Sequence, residues 1–269
     1  MHQPQKNYNI KAKKSLGQHF LNSSIVPEWL CDASELHEGI NVLEIGPGTG
    51  VLTEALLKKK ASVLAVETDK RSVDILKERF LDEVKEEQLH ILEYDIRNGI
   101  PNHVRIKDRS YQVVANIPYY LTGLIIRTFL ETPTQPTRMT LLIQKEVAKR
   151  IVQNNKSSLL KVAIEVFGTP HYIKTVTRGH FTPAPNVDSA ILDIQNITHE
   201  KLPIANREGF FQLLRGGFSH PRKQLKGNLR NIYEEEKIKN AFKILSLSDN
   251  VRAENLSTEK WLQLQKNIV

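Results

Sequence analysis

The sequence holds one cysteine and no long apolar run, and both shortages exclude whole classes of protein. Cys31 has no partner for an internal disulfide, and its place in "SIVPEWLCDA" makes it a core thiol on an apolar helix. No 18-residue stretch is apolar enough to span a membrane. The first 14 residues, "MHQPQKNYNIKAKK", lack the apolar segment of a secretory signal, so a cytoplasmic protein is expected. Without a cysteine pair, and with nine scattered histidines, no metal site is expected. Internal repeats and low-complexity tracts are missing too. What remains is 269 residues, 40% of them hydrophobic, enough for one large domain or a domain with a small companion, with a monomer as the default.

The formal charge of +8 is unevenly spread. Lys6, Lys11, Lys13 and Lys14 make a basic N-terminal tail without an acid, and residues 201–231 set seven cations against Glu208 alone. The rest of the chain is slightly acidic. Clustered cations of this kind are the footprint of a polyanion such as nucleic acid, although a solvated surface gives the same composition.

Periodicity divides the chain near residue 200. Apolar runs at 62–69, 89–95, 111–117 and 139–144, with "NVLEI" before them, alternate with helical patterns at 24–37, 70–84, 122–131, 145–153 and 158–167. Such alternation predicts right-handed crossovers and a mostly parallel α/β sheet covered on both faces. The runs "YIKTVTRGHF" and "SAILDIQNI" lack a helical crossover and predict an antiparallel hairpin at one edge. Residues 1–200 therefore read as an α/β domain. Residues 201–269 show helical patterns only, in "FFQLLRGGF", "RKQLKGNLRNIY", "EEKIKNAFKIL" and "TEKWLQLQKNI", and read as a small all-α domain.

Four successive strand ends carry chemistry. In "LEIGPGTG", Gly46, Gly48 and Gly50 join a strand to a helix, where a tight turn admits a ligand to the main chain and the helix N-terminus offers free amides. Gly46 and Gly48 fit a dinucleotide fingerprint, whereas Val51 stands at its third glycine. Glu67 ends the next strand and can accept from ribose hydroxyls; Asp95 ends the third and can accept from an adenine amino group. Together they indicate an adenosine-containing ligand. The fourth end, "NIPY", sets the Asn116 amide and the Ile117 carbonyl as acceptors for an exocyclic amino group. Pro118 stiffens the turn, and Tyr119 offers a ring on which an extruded base can stack. Alone, the tetrapeptide could be an Asn-initiated turn with core tyrosines.

With these residues in place, the sequence resembles the ribosomal RNA adenine N6,N6-dimethyltransferase family. The similarity runs from "KKSLGQHFL" through "LEIGPGTGVLT", "VETD", "YDIRN" and "NIPYY" to "FTPAPNVDSAIL", and "GFSHPRKQLKGNLRN" is similar to the small-subunit branch. The resemblance implies a class I, Rossmann-like methyltransferase sheet with a C-terminal helical domain. It implies S-adenosylmethionine as cofactor, contacted by His19, Leu21, Gly46, Glu67, Asp95 and Asn116, with relatives carrying Asn at the position of His19. Asn116, Ile117, Pro118 and Tyr119 would form the catalytic clamp, and Phe181 would face Tyr119 across the base pocket. Arg222, Lys223 and Lys226 would bind RNA.

The implied reaction is direct displacement at the sulfonium methyl, without a covalent intermediate. It would dimethylate two adjacent adenines near the 3′ end of small-subunit ribosomal RNA during ribosome biogenesis. The alternatives are a large-subunit methyltransferase conferring macrolide resistance, a non-catalytic assembly factor on the same fold, and, more remotely, a DNA adenine or protein-glutamine methyltransferase.

Overall fold

Runs rich in aliphatic and β-branched residues form the main strands of the computed structural model, which describes residues 10–13, 16–101, 104 and 106–269. Most of the basic tail, including Lys6 and Lys14, lies outside the described residues. In chain order the strands are β1 (Phe20–Leu21), β2 (Asn41–Ile45), β3 (Ser62–Glu67), β4 (Leu89–Glu93), β5 (Gln112–Asn116), β6 (Arg138–Gln144), β7 (Thr169–Val176), β8 (Phe181–Thr182) and β9 (Ser189–Gln195). The helices are α1 (Ile25–Ala33), α2 (Val51–Lys58), α3 (Lys70–Arg79), α4 (Leu81–Lys85), α5 (Thr122–Glu131), α6 (Lys145–Val152), α7 (Leu159–Phe167), α8 (Ile204–Gly217), α9 (Leu225–Leu229), α10 (Glu235–Ile244) and α11 (Thr258–Ile268).

Seven strands form one sheet in the order β4-β3-β2-β5-β6-β9-β7. β4, β3, β2, β5 and β6 run parallel, and β9 pairs antiparallel with β6, Thr140 opposite Asp193. The two late runs are thus adjacent strands, with β7 at the edge where half its residues face solvent. Parallel central strands are buried on both faces, which is why residues 113–115 of β5 and 141–143 of β6 are apolar without alternation. A separate ribbon pairs β1 with β8, Leu21 opposite Phe181.

The helical patterns resolve differently in three places. Residues 24–37 hold a helix only to Ala33, because Glu35 takes a left-handed conformation (φ 51°) before Gly39 is reached. The pattern at 70–84 is two helices, α3 and α4, interrupted at Phe80 (φ −117°, ψ 40°), whose ring packs over Gly50. "RKQLKGNLRNIY" forms only the five-residue α9.

The chain separates into two compact units, one comprising the described residues up to Ala148 with His171–Gln195, the other Lys149–Pro170 with Asn196–Val269. Residues 149–170 therefore belong with the helical unit rather than with the α/β unit into which periodicity had put them. Within that second unit α7 supplies core: Phe167 stacks on Phe211 (6.1 Å), Arg207 lies over the Phe167 ring, and Phe218 stacks on buried Trp261 (5.4 Å). Periodicity marks α7 as a helix but carries no information about which apolar surface covers it.

In the first unit the β6–β9 pair carries a buried ion pair. Arg138 Nε donates to Asp193 Oδ1 (2.9 Å) and Nη2 to Oδ2 (2.8 Å), while Thr140 Oγ1 and Gln195 Nε2 also donate to this fully buried carboxylate. Glu35 closes the network on the other side of the guanidinium. Removing one partner leaves a buried charge uncompensated, whereas removing both is tolerated. Arg138→Met is therefore expected to destabilise the protein by about 3 kcal/mol in urea unfolding. The double variant Arg138→Met/Asp193→Leu should recover most of that loss.

Candidate functional site

The parallel strands deliver their C-terminal ends to one cleft of about 180 Å³, lined by Gly46, Glu67, Asp95, Asn116, Ile117, Pro118 and Tyr119 together with His19 and Leu21. Its floor is the turn after β2. Gly46, Gly48 and Gly50 all have positive φ (67°, 58° and 85°), and a Cβ on Gly50 would stand 2.5 Å from Phe80 Cε2. Only glycine meets both demands there.

Glu67 closes the turn from the next strand. Its Oε2 accepts from the Gly48 amide (3.1 Å) and its Oε1 from the amides of Thr68 (2.8 Å) and Asp69 (2.9 Å), so a buried carboxylate is held by main-chain donors alone. Asp95 stands two residues past the end of β4 and starts a 3-10 turn at Ile96–Asn98. Arg97 donates to both of its oxygens and holds the Asp95 carboxyl below its usual range.

The fourth strand end forms a turn whose amide is already oriented. Asn116 Nδ2 donates to the His19 carbonyl (3.2 Å), which leaves its amide oxygen without a hydrogen bond among the described residues and able to accept. Tyr119 is half-buried: its hydroxyl is 2.7 Å from Ser189 Oγ, its ring stacks on that of His19 (5.9 Å between centroids), and burial raises its phenol pKa. His19 Nδ1 lies 2.8 Å from the Pro183 carbonyl, which can only accept, so Nδ1 carries the proton. His19 does not cap α1; Ser24 stands at that position.

Two expected site residues stand elsewhere. Phe181 is 3% exposed and belongs to the hydrophobic cluster with Leu21, Leu142 and Ile191, because its antiparallel pairing with Leu21 turns the ring inward; it does not line the cleft. Arg222 and Lys223 are exposed on the second unit, but the Lys226 side chain is only 17% exposed and paired with Asp249 (2.9 Å).

Motif reading passed over two acids, Asp69 next to the cleft-lining Thr68 and Glu44 in the cleft itself. Asp69, just past "VE", accepts from Gln18 Nε2 (3.2 Å), Lys13 Nζ (3.3 Å) and Arg71, and Arg71 hydrogen bonds drive its carboxyl well below the ordinary range. It also caps α3 through the Arg71 amide, so one side chain ties the N-terminal segment to the rim. The signal was present as an acid immediately before an apolar-periodic helix. Glu44 is hidden more deeply. It is 1% exposed, accepts from Thr53 Oγ1 (2.7 Å), has no partner at Oε1 among the described residues, and burial pushes its pKa up to about 8.

The donor set fits an adenosine-containing cofactor. The glycine turn leaves the main chain open, Glu67 and Asp95 provide acceptors at successive strand ends, and Glu44, with one oxygen unpartnered among the described residues, lines the same cleft.

Comparison with known proteins places the chain among relatives of one kind. A family model described as ribosomal RNA adenine dimethylase matches residues 9–269. A ribosomal RNA small subunit methyltransferase A of Dehalococcoides mccartyi is 38% identical over 264 residues, spanning 96% of this chain and 88% of its own. The protein of that name from Streptococcus pneumoniae is 37% identical over 267 residues, spanning 96% and 92%. Among solved structures, a dimethyladenosine transferase from Plasmodium falciparum superposes with a TM-score of 0.73 at 24% identity, and the 23S rRNA methyltransferase ErmE with 0.69 at 24%. Each covers 93% of this chain and 99% of its own, and they share its fold.

Glu44 makes stability depend on pH. Between the ordinary glutamate pKa near 4.3 and about 8, the folded chain keeps a proton that the unfolded chain has released, so stability falls as pH rises through this window and levels above it. Replacing Glu44 by Gln removes the titration. The stability difference between Glu44→Gln and the wild type should shift in favour of the variant by on the order of a few kcal/mol from pH 4 to pH 9, read from denaturant unfolding at each pH.

Proposed function

We propose, from the premise that the chain belongs to the ribosomal RNA adenine dimethylase family, that it transfers methyl groups from S-adenosylmethionine to N6 of adenine in small-subunit ribosomal RNA. The observation that carries the chemistry is the Asn116 amide of the cleft lining, whose nitrogen is spent on the His19 carbonyl and whose oxygen has no hydrogen bond among the described residues, so it is free to accept. The small-subunit substrate is favoured over the large-subunit one by relatives at 34–38% identity that bear the name small subunit methyltransferase A.

When bound, the cofactor supplies an electrophilic methyl group on a sulfonium. Gly46 and the turn after β2 admit it to the main chain, Glu67 accepts from its ribose, exchanging part of its hold on the Gly48 amide, and Asp95 accepts from its adenine amino group. Asn116 and the Ile117 carbonyl accept hydrogens from the target amino group. That group is a weak nucleophile while its lone pair is shared with the ring, and acceptors favour the pyramidal nitrogen of the transition state. No strong base is required, since the nitrogen becomes acidic as it gains the methyl. Tyr119 stacks on the extruded base.

Incubation with labelled S-adenosylmethionine and unmethylated small subunits should yield dimethyladenosine by nucleoside mass spectrometry. Label confined to large-subunit RNA would move the protein to the resistance branch, and binding without label would make it an assembly factor. In the same assay Asn116→Ala should lower kcat by about 100-fold or more with the cofactor still bound; near-normal turnover would remove the clamp role.

RNA affinity is attributed to the exposed cations of the second unit. Neutralising Arg222 and Lys223 together should lower the slope of log affinity against log salt by about two, and adding Lys226→Ala should change little more because Asp249 already pairs it. An unchanged slope would place the RNA surface elsewhere.

A further inference from the structure

The two tyrosines that end "NIPYY" stand in one short 3-10 turn, Tyr119–Leu121, yet have opposite surroundings. Tyr119 is held by Ser189 and His19, as a ring that receives a base inside the cleft must be. Tyr120 lines the same cleft but is 59% exposed, the most open aromatic ring among the exposed large apolar side chains of the described residues. It is not a loose side chain. The ring rests against Gly17, which has φ +59° and whose Cβ would stand 3.1 Å from Tyr120 Cε1 and 3.3 Å from Cδ1. The turn beneath it is closed by the Leu121 amide on the Pro118 carbonyl (2.9 Å) and by Thr122 Oγ1 on the Tyr119 carbonyl (3.0 Å).

An aromatic ring left exposed at a cleft mouth, backed on one side and fixed by a rigid turn, is a platform. Arg97 lines the same cleft with its side chain half exposed while Asp95 fixes its orientation, so the ring has a cation for company. A polynucleotide supplies both complements, a base for the ring and a phosphate for the guanidinium.

We infer that Tyr120, flanked by Arg97, is a stacking platform for the nucleotide adjacent to the target adenine, so that the enzyme holds two consecutive bases on two consecutive tyrosines. The inference rests on the proposed RNA substrate and deepens it. Extruding the target base breaks its stack with its neighbour, and a second ring at the cleft mouth replaces the contact that the neighbour loses. Because any base has a π-face, the platform fixes position without reading sequence.

The test uses the full chain with Tyr120→Ala, Leu, Phe and Trp. On unmethylated small subunits the Ala and Leu variants should lose about tenfold in kcat/KM, and Phe and Trp should stay within about twofold of the wild type. All four should bind S-adenosylmethionine with unchanged dissociation constants by calorimetry. A Leu variant as active as the Phe variant would overturn the platform, because leucine keeps apolar volume and loses the π-face. Equal loss of cofactor affinity would overturn it too, since the ring would then act on the cofactor. A second readout separates this inference from the function on which it rests. With single-stranded RNA carrying 2-aminopurine beside an adenine, the Leu variant should leave the probe brighter than the wild type and the Phe variant do. If the wild type methylates no RNA, the proposed function fails and the probe alone decides: a dimmer wild type keeps the platform, and equal brightness overturns it.

Discussion

The pairing of β2 with β5 is the constraint on which the site depends. Chain order runs outward from β2 to β3 and β4 on one side and through β5 to β6 on the other, so the crossovers reverse direction at this pair and leave a crevice beyond its C-terminal ends. Because the strands are parallel and in register, Val42 opposite Gln112 and Ile45 opposite Ala115, the glycine turn and Asn116 emerge side by side. The register of β3 on β2, Ile45 opposite Val66, then delivers Glu67 one residue later to the amide of Gly48. A slip of one residue in either pairing would turn a carboxylate or an amide into the core.

The cleft concentrates acid in a basic protein. Glu44, Glu67 and Asp95 line it and Asp69 follows the cleft-lining Thr68, and each is stabilised differently. Glu67 is neutralised by main-chain dipoles, Asp69 by Lys13, Gln18 and Arg71, Asp95 by Arg97, and Glu44 keeps its proton. Burial of like charges is tolerable only because no two are compensated by the same partner. The outcome is a pocket of acceptors suited to a ligand rich in hydroxyl and amino donors and carrying positive charge. Cys31, buried in the core with its thiol pKa pushed up to about 12 by burial, contributes packing.

Much of this was legible because the chemistry sits at strand ends, where apolar runs stop and single polar residues stand out. Gly46, Glu67, Asp95 and Asn116 each stand at or just past the end of such a run, and the structure brings all four to one cleft. What escaped reading depends on partners remote in sequence. Glu44 lies inside a run, and nothing local says that one of its oxygens meets Thr53 while the other meets no donor among the described residues. Phe181 reads as a pocket aromatic until its antiparallel partner is known, since only the pairing with Leu21 decides which way the ring turns. The break of the helix at Phe80 and the transfer of residues 149–170 to the helical unit have the same origin, a packing surface supplied from elsewhere in the chain.

The N-terminal segment shows how such remote contacts convert a fold into a site. Residues 16–21 carry no periodicity of their own, and isolated from the sheet they would have few apolar contacts to offset the entropy of ordering. They are fixed at spaced points by two hydrogen bonds, Gln18 on Asp69 and the His19 carbonyl on Asn116, by the His19 ring stacked on Tyr119, and by Leu21 in the core cluster with Phe181. Each contact uses a group that the strand ends had already placed. The segment in turn orients the Asn116 amide, and an amide rotated by half a turn would present donors where the target amino group needs an acceptor. The polarity of the Asn116 amide is thus set by a carbonyl 97 residues away in sequence, and the sheet alone, however accurate its register, would leave that polarity undetermined.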